Sequence, residues 1–365
     1  MHNVVRSRDE GDCRSIAYFL RKYSHNDGNQ HLVRTMMLKD FCARVKRLPP
    51  AERLAAMAEC WYGLLPQESR DEFGREGVGL VEINDLLALK KEKRHVGIVT
   101  VKECELRAVL ATLGKNMPLH EDRASGAFRY WFGELVQNDG AKLSLVVTCV
   151  GEPRNVPCAI AVEHLVNDFA LDLLMCVGIA AGPKDKVKLG DVVCADRVYD
   201  YEHVRLELHK LFGLFKLRKS APRPLYSEVH KSIKLAAQIY EKKSMDNLLA
   251  QVLPKTDRER LPVGFPNTFA PGFHKGTIAA GEKLIADGSL RKMYRKVDQN
   301  IRAGDQEDSG FAQVAVLKEI RWCVFRGICD YADPNKGDNW QYVAALAASC
   351  AAMSFLQTVW RKITE

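Results

Sequence analysis

The stretch from Arg321 to Trp340, RWCVFRGICDYADPNKGDNW, constrains the fold of this chain more than any other. Trp322-Cys323-Val324-Phe325 is a short apolar run without polar alternation, the pattern of a strand buried on both faces inside a parallel sheet. The run breaks at Gly327, and Asp330, Tyr331 and Asp333 follow in a loop bounded by Pro334 and Gly337. A helix is predicted from about Asp338, a residue suited to an N-cap, and its alanine-rich run lasts almost to the C-terminus. Open α/β sheets hold ligands just outside the carboxyl ends of their strands. Asp330 therefore either faces a ligand or caps a turn, and position alone leaves both open.

Composition narrows the setting. A chain of 365 residues, 47% hydrophobic, is long enough for one large domain and a smaller partner. The strongly apolar run Leu346–Met353 is interrupted by Ser349 and is too short to cross a bilayer. MHNVVRSRDEGDC lacks the apolar core of a signal peptide. A cytoplasmic protein with no membrane partner is the expectation. Eleven cysteines, most of them in apolar segments (Cys149, Cys176, Cys194, Cys323, Cys350), suit reduced, packed thiols. No CxxC or Cys/His spacing suggests zinc, and neither a metal nor a cofactor is expected. The net charge of +8 could draw a phosphorylated small molecule or a polyanion, although a merely soluble surface is the better reading.

Residues 1–92 differ from the rest. Apolar residues recur at helical spacing around Ile16–Leu20, Leu32–Phe41 and Leu54–Leu64, punctuated by Pro49-Pro50 and Pro66, which predicts a small all-helical module. Lys90-Lys91-Glu92-Lys93-Arg94 reads as a solvated linker; with no aromatic residues interleaved, it gives no reason to expect nucleic acid. From His95 the pattern switches. Strands are predicted at 96–101, 127–136, 143–150, 172–180, 191–195, 275–280 and 322–325. Helices are predicted at about 103–110, 156–170, 226–253, 284–297 and 309–318, with a long irregular insert after Tyr201. Alternating strands and helices define an α/β domain with a buried central sheet.

Three acidic residues stand at strand ends or helix starts: Glu105, Glu307 and Asp330. Each has an ordinary explanation, since Glu105 suits a first helical turn and Glu307 a polar turn. Together they suggest a pocket lined by carboxylates. The segment from Gly178 to Pro183 is glycine-rich without being a dinucleotide fingerprint or a P-loop, and suits a turn that lets a ligand approach the backbone.

At these residues the sequence resembles the 5′-methylthioadenosine/S-adenosylhomocysteine nucleosidases of the nucleoside phosphorylase superfamily. Five blocks between about 95 and 362 carry the resemblance: VGIVTVKECELRAV, CVGIAAGPKDKVKLGDVVCADRVYDYE, KGTIAAGEKLIADG, AGDQEDSGFAQV and VFRGICDYADPNKGDNW. It implies a three-layer α/β/α domain around a mixed, partly barrel-like sheet, preceded here by the helical module, and a homo-oligomer. It also implies roles. Asp330 would be the general acid on the purine, and Glu105 would hold and deprotonate the attacking water. Glu307 would accept the ribose hydroxyls, while Leu284 and Ile285 would receive the base. These are the two-carboxylate requirements of an oxocarbenium-like reaction.

Departures from the family pattern bear on the substrate. Lys102 replaces an apolar residue, Gln306 a methionine, Ile179 a small hydroxyl residue and Asp308 a small one. Lys102 and Gln306 suit a polar or phosphorylated 5′ end better than a methylthio group. VGIVTVKECE also lacks the arginine with which phosphorylases hold phosphate, so hydrolysis is expected. The leading expectation is a purine nucleotide or nucleoside N-glycosidase, of the kind found in defence proteins, with residues 1–92 binding a regulatory partner. A housekeeping methylthioadenosine nucleosidase and a catalytically silent nucleotide sensor are the alternatives.

Overall fold

The computed structural model describes residues 92–114, 119–125, 128–211, 215–256, 258–283, 285–334 and 337–364. The predicted helical module at 1–92 lies outside these residues save for Glu92, as does Leu284. From Glu92 onward the elements are β1 (Glu92–Thr100), α1 (Glu103–Leu113), β2 (Leu119–Ser125), β3 (Phe128–Val136), β4 (Lys142–Cys149), α2 (Asn155–Asp168) and β5 (Phe169–Ala181). Next come β6 (Val192–Asp200), β7 (Val204–Leu211), β8 (Phe215–Pro222), β9 (Leu225–Glu228), α3 (Lys231–Ile239) and α4 (Lys242–Val252). The chain ends with β10 (Phe273–Ala280), α5 (Ser289–Lys296), β11 (Ile301–Asp305), α6 (Asp308–Leu317), β12 (Arg321–Asp330) and α7 (Gln341–Thr364).

Ten strands form one mixed sheet in the order β11-β10-β6-β12-β5-β1-β4-β3-β2, with β9 added beside β6. β12 runs parallel to β5 and antiparallel to β6, which places its apolar run in the middle of the sheet; Trp322 to Cys329 are buried throughout. A further bridge, Gly304 opposite Ala181, joins β11 back to β5. It closes β5, β12, β6, β10 and β11 into a barrel, while β1, β4, β3 and β2 continue as an open sheet. Closure brings the carboxyl ends of β5 and β11 together, next to that of β12.

α7 packs on β12 and β5 and gathers α1, α3 and α4 around it, while α6 packs with α2 and against β12. α7 is long and apolar enough to span a bilayer, with a mean hydropathy of 1.5 over its most apolar 18 residues, although 89% of that window is buried inside the protein. Its alanines allow a very close approach. A Cβ on Gly327 of β12 would sit 1.9 Å from the Ala344 carbonyl oxygen, so only glycine fits there.

Four sequence expectations change. The charged run at 90–94 is not all linker, because Glu92–Arg94 begin β1 and Arg94 lies over the Phe132 ring at 4.6 Å. The single helix expected at 226–253 is strand β9 followed by two helices. Tyr240 breaks them by turning extended (ψ 128°) to pack on Phe273 and Phe355. The irregular insert holds a separate two-stranded ribbon, β7–β8. β11 had no sequence signal at all.

Candidate active site

A cavity of about 260 Å³ opens at the carboxyl ends of β1, β5, β11 and β12. Lys102, Glu105, Ile285, Gln306, Glu307 and Asp330 all line it, so six of the eight residues singled out from sequence converge there. Leu284 lies outside the described residues. Gly178 does not line the cavity. A Cβ at Gly178 would come within 2.4 Å of both Glu105 Oε1 and Arg326 Nη1, so this glycine makes room for those two groups. From the glycine-rich segment, Ile179, Ala180 and Ala181 line the cavity instead.

Glu105 sits at N3 of α1, and its side chain folds back on the helix start. Oε2 accepts the Val101 N–H at 2.6 Å and the Lys102 N–H at 2.9 Å, while Oε1 accepts the Ile179 N–H at 2.9 Å. The cap-like geometry and the pocket position coexist: the same carboxylate ties β1, α1 and β5 together. A carboxylate has about four acceptor positions, which leaves roughly one for a ligand. Asp330 is the last residue of β12, not a loop residue beyond it. Its Oδ1 accepts the Ala332 N–H at 2.8 Å and its Oδ2 accepts the Cys329 thiol at 3.3 Å. Both contacts fix the carboxyl at the cavity wall.

The residue sequence reasoning missed is Arg326, fully buried in β12. Its Nε donates to Asp308 Oδ2 at 3.0 Å and its Nη2 to Asp308 Oδ1, a two-pronged pair. Nη2 also lies 2.8 Å from Asp305 Oδ2 and 3.8 Å from Glu307 Oε2, and Nη1 lies 3.9 Å from Glu105 Oε1. One guanidinium thus stands among four carboxylates. Asp308, a departure from the family pattern, does not reach the cavity lining; it is this arginine's main partner. Nη1 is a buried donor with no hydrogen-bond acceptor among the described residues.

This crowding sets protonation. Burial raises the Asp305 carboxyl well above its ordinary range, and the neighbouring Asp308 charge adds to that. Burial works most strongly to raise Asp308, but the Arg326 charge together with hydrogen bonds from Asp305, Arg326 and Cys176 holds the carboxyl below the usual value. Glu307 is pushed up to about 7, first by burial and then by the charges of Glu105 and Asp308, against the pull of Arg326. Glu307 receives the Arg154 N–H at 3.3 Å from a backbone at φ 118°, ψ 159°, a region that non-glycine residues scarcely adopt. Gln306 reaches away to the Glu282 carbonyl at 2.9 Å. Among the described residues no cluster of His, Cys, Asp and Glu is arranged to hold a metal ion.

A mixed sheet partly closed into a barrel, with acids gathered at the ends of β1, β11 and β12 around one cavity, defines an α/β domain of the nucleoside phosphorylase kind. The chain belongs to the phosphorylase superfamily, whose family model matches residues 95–360. It is 25% identical over 266 residues to the ATP nucleosidase Cap17 of Escherichia coli, a match covering 72% of this chain and 51% of that protein. A death domain-containing ATP nucleosidase of Amphimedon queenslandica is 22% identical over 202 residues, covering 54% of this chain and 36% of the relative. The chain thus spans about half, or less, of the length of these two relatives. The fold is shared with the 5′-methylthioadenosine/S-adenosylhomocysteine nucleosidase of S. pneumoniae, solved with a transition-state inhibitor. That likeness has a TM-score of 0.52 and 20% identity, covering 73% of this chain and 99% of the other.

Proposed function

We propose that this protein is a purine N-glycosidase that hydrolyses the bond between base and ribose, acting on an adenine nucleotide in preference to methylthioadenosine. The observation that carries this reading is the convergence of Glu105, Glu307 and Asp330 on one cavity, with Arg326 buried behind them. Breaking the glycosidic bond builds positive charge on the sugar and negative charge on the leaving purine. Asp330 gives the purine its proton, so that the base leaves neutral. Glu105 orients the attacking water with its remaining acceptor position and takes its proton, while Arg326, whose Nη1 lies 3.9 Å from Glu105 Oε1, offsets the charge of that carboxylate from behind. Glu307 accepts hydrogen bonds from the ribose hydroxyls. Each proton-transfer group of this kind contributes on the order of 10²–10⁴ in rate.

Hydrolysis is favoured over phosphorolysis because Arg326 is engaged by carboxylates and shut away from solvent, which leaves it unsuited to holding free phosphate. Lys102 on the cavity wall supports a phosphorylated substrate, and the name of the Cap17 relative points the same way. In this reading residues 1–92 regulate the enzyme through a partner or self-association, and nucleotide depletion in the cytoplasm is the output. The Amphimedon relative, whose name joins a death domain to an ATP nucleosidase, supports such an arrangement. A housekeeping methylthioadenosine nucleosidase is the second reading, favoured by the shared fold with the S. pneumoniae enzyme.

Release of free base from ATP, AMP, adenosine and methylthioadenosine, followed by chromatography, separates the two. The nucleotides should be preferred, and Lys102→Met should lower their kcat/KM by about one to two decades, the worth of one charge-assisted phosphate contact. Use of methylthioadenosine should be unchanged or improved. A wild-type preference for methylthioadenosine that Lys102→Met leaves intact would return the protein to the housekeeping reading.

A further inference from the structure

A second cleft, of about 510 Å³, adjoins the cavity and shares Asp338 and Gln341 with it. Helix α1 is the partition between them. Lys102 and Glu105 face the inner cavity, while Glu103, Cys104 and Arg107 form a wall of the outer cleft. The opposite wall comes from the segment 259–263, which carries Arg260, and from the start of α7. The inner cavity, at about 260 Å³, falls below the usual range of roughly 300–1,000 Å³ for sites that enclose a drug-sized ligand. A substrate with a long 5′ extension must therefore continue beyond it.

The character of the cleft limits what that extension can be. Arg107, Arg260, Glu103, Glu259 and Asp338 line it beside Leu261, Pro262 and Val263, so an alkylthio tail could rest on one wall only, while a charged extension meets partners around the rest. Two guanidiniums offer planar, forked donors suited to phosphate oxygens. The carboxylates would oppose a bare anion, but they suit a phosphate chain that travels with a hydrated divalent cation. Magnesium is typically held in this way, by one or two carboxylates together with substrate phosphates.

The arginines are also placed to respond. Arg107 is paired with Glu103 one helical turn away, both side chains more than half exposed (52% and 71%), and such a surface pair is weak enough to exchange for phosphate. The Arg260 guanidinium lies over the Tyr342 ring, 5.2 Å from its centre, which anchors it at the cleft wall.

We propose that the outer cleft holds the phosphate chain of the nucleotide substrate, with its divalent cation, while the nucleoside occupies the inner cavity. Arg107 and Arg260 pair with the phosphates, and the chain passes between Lys102 and Gln341. The inference rests on the nucleotide reading above and locates the part of the substrate that reading leaves unplaced. It also orders the substrates: each phosphate added to adenosine tightens binding.

The full-length Asp330→Asn protein, titrated calorimetrically with MgATP, AMP and adenosine, tests this without turnover. MgATP should bind at least tenfold more tightly than adenosine. Arg107→Ala with Arg260→Ala should remove that advantage, weakening MgATP about 10- to 100-fold and leaving adenosine within about threefold. Equal affinities for the three ligands, or a MgATP advantage that survives the double substitution, would overturn the proposal. A fall in affinity for all three would also overturn it, as the sign of a merely structural role. The nucleosidase reading stands or falls separately on base release by the wild-type protein. Tight, arginine-dependent MgATP binding without base release would sink that reading alone.

Discussion

Glu307 shows how one side chain can connect sequence, burial and chemistry. From sequence it is a polar residue before a helix; in the fold it is the N-cap residue of α6, nine-tenths shielded, with its carboxyl raised to about 7 by burial and by its acidic neighbours. Between the ordinary carboxylate range and pH 7 the folded protein holds a proton that the unfolded chain has released. The group therefore favours folding most at low pH, and that contribution is lost as pH rises through about 7. Thermal unfolding from pH 5 to pH 8 should show a loss of stability on the order of 1–3 kcal/mol that Glu307→Gln largely abolishes. A wild-type melting temperature flat across that range would contradict the assigned burial. Asp330, Glu105 and Glu307 were legible in the sequence because acids at strand ends are conspicuous and their blocks resemble a family. Arg326 was not, because one arginine inside WCVFRGIC looks like an interruption of an apolar run. Its meaning depends on Asp305 and Asp308, which only the closed barrel brings to it.

Among the elements, β12 and α7 carry the architecture. β12 supplies Arg326 and Asp330 from a single strand, and α7 closes over it with Gly327 as the point of contact. Gly327→Ala should destabilise the protein by about 3 kcal/mol, the upper part of the range for overpacking, because its Cβ meets a backbone carbonyl and not a side chain that can rotate away. The displaced α7 start should also raise KM through Gln341, which lines both cavities. Circular dichroism melts and initial rates on the same preparation would show whether the two effects appear together; an unchanged melting temperature would refute the contact. The long apolar strands and α7 were readable from sequence because burial on both faces leaves an uninterrupted pattern. IRAGD, in β11, is five residues with an arginine in its second position, too short and too mixed to signal a strand. Its pairing is decided by β10 and β5. The β7–β8 ribbon was hidden for a related reason: its two strands pair only with each other, outside the main sheet.

At the scale of the molecule, a closed five-stranded barrel fixes a carboxylate-lined cavity, and an adjoining charged cleft extends it. The switch in pattern at His95 announced the α/β unit, whereas its first strand begins earlier, within the charged run at Glu92. In the proposed reaction Asp330 and Glu105 act as an acid and a water-orienting base on the two sides of a purine glycosidic bond. Single-turnover base release by Asp330→Asn and by Glu105→Gln, each checked for an unchanged melt, addresses it directly. The amides keep the volumes of the carboxyls but remove the proton donor in one case and the base in the other. Each variant should fall below about a tenth of the wild-type rate. A folded variant of either kind that releases base at near the wild-type rate would show that the chemistry is done elsewhere.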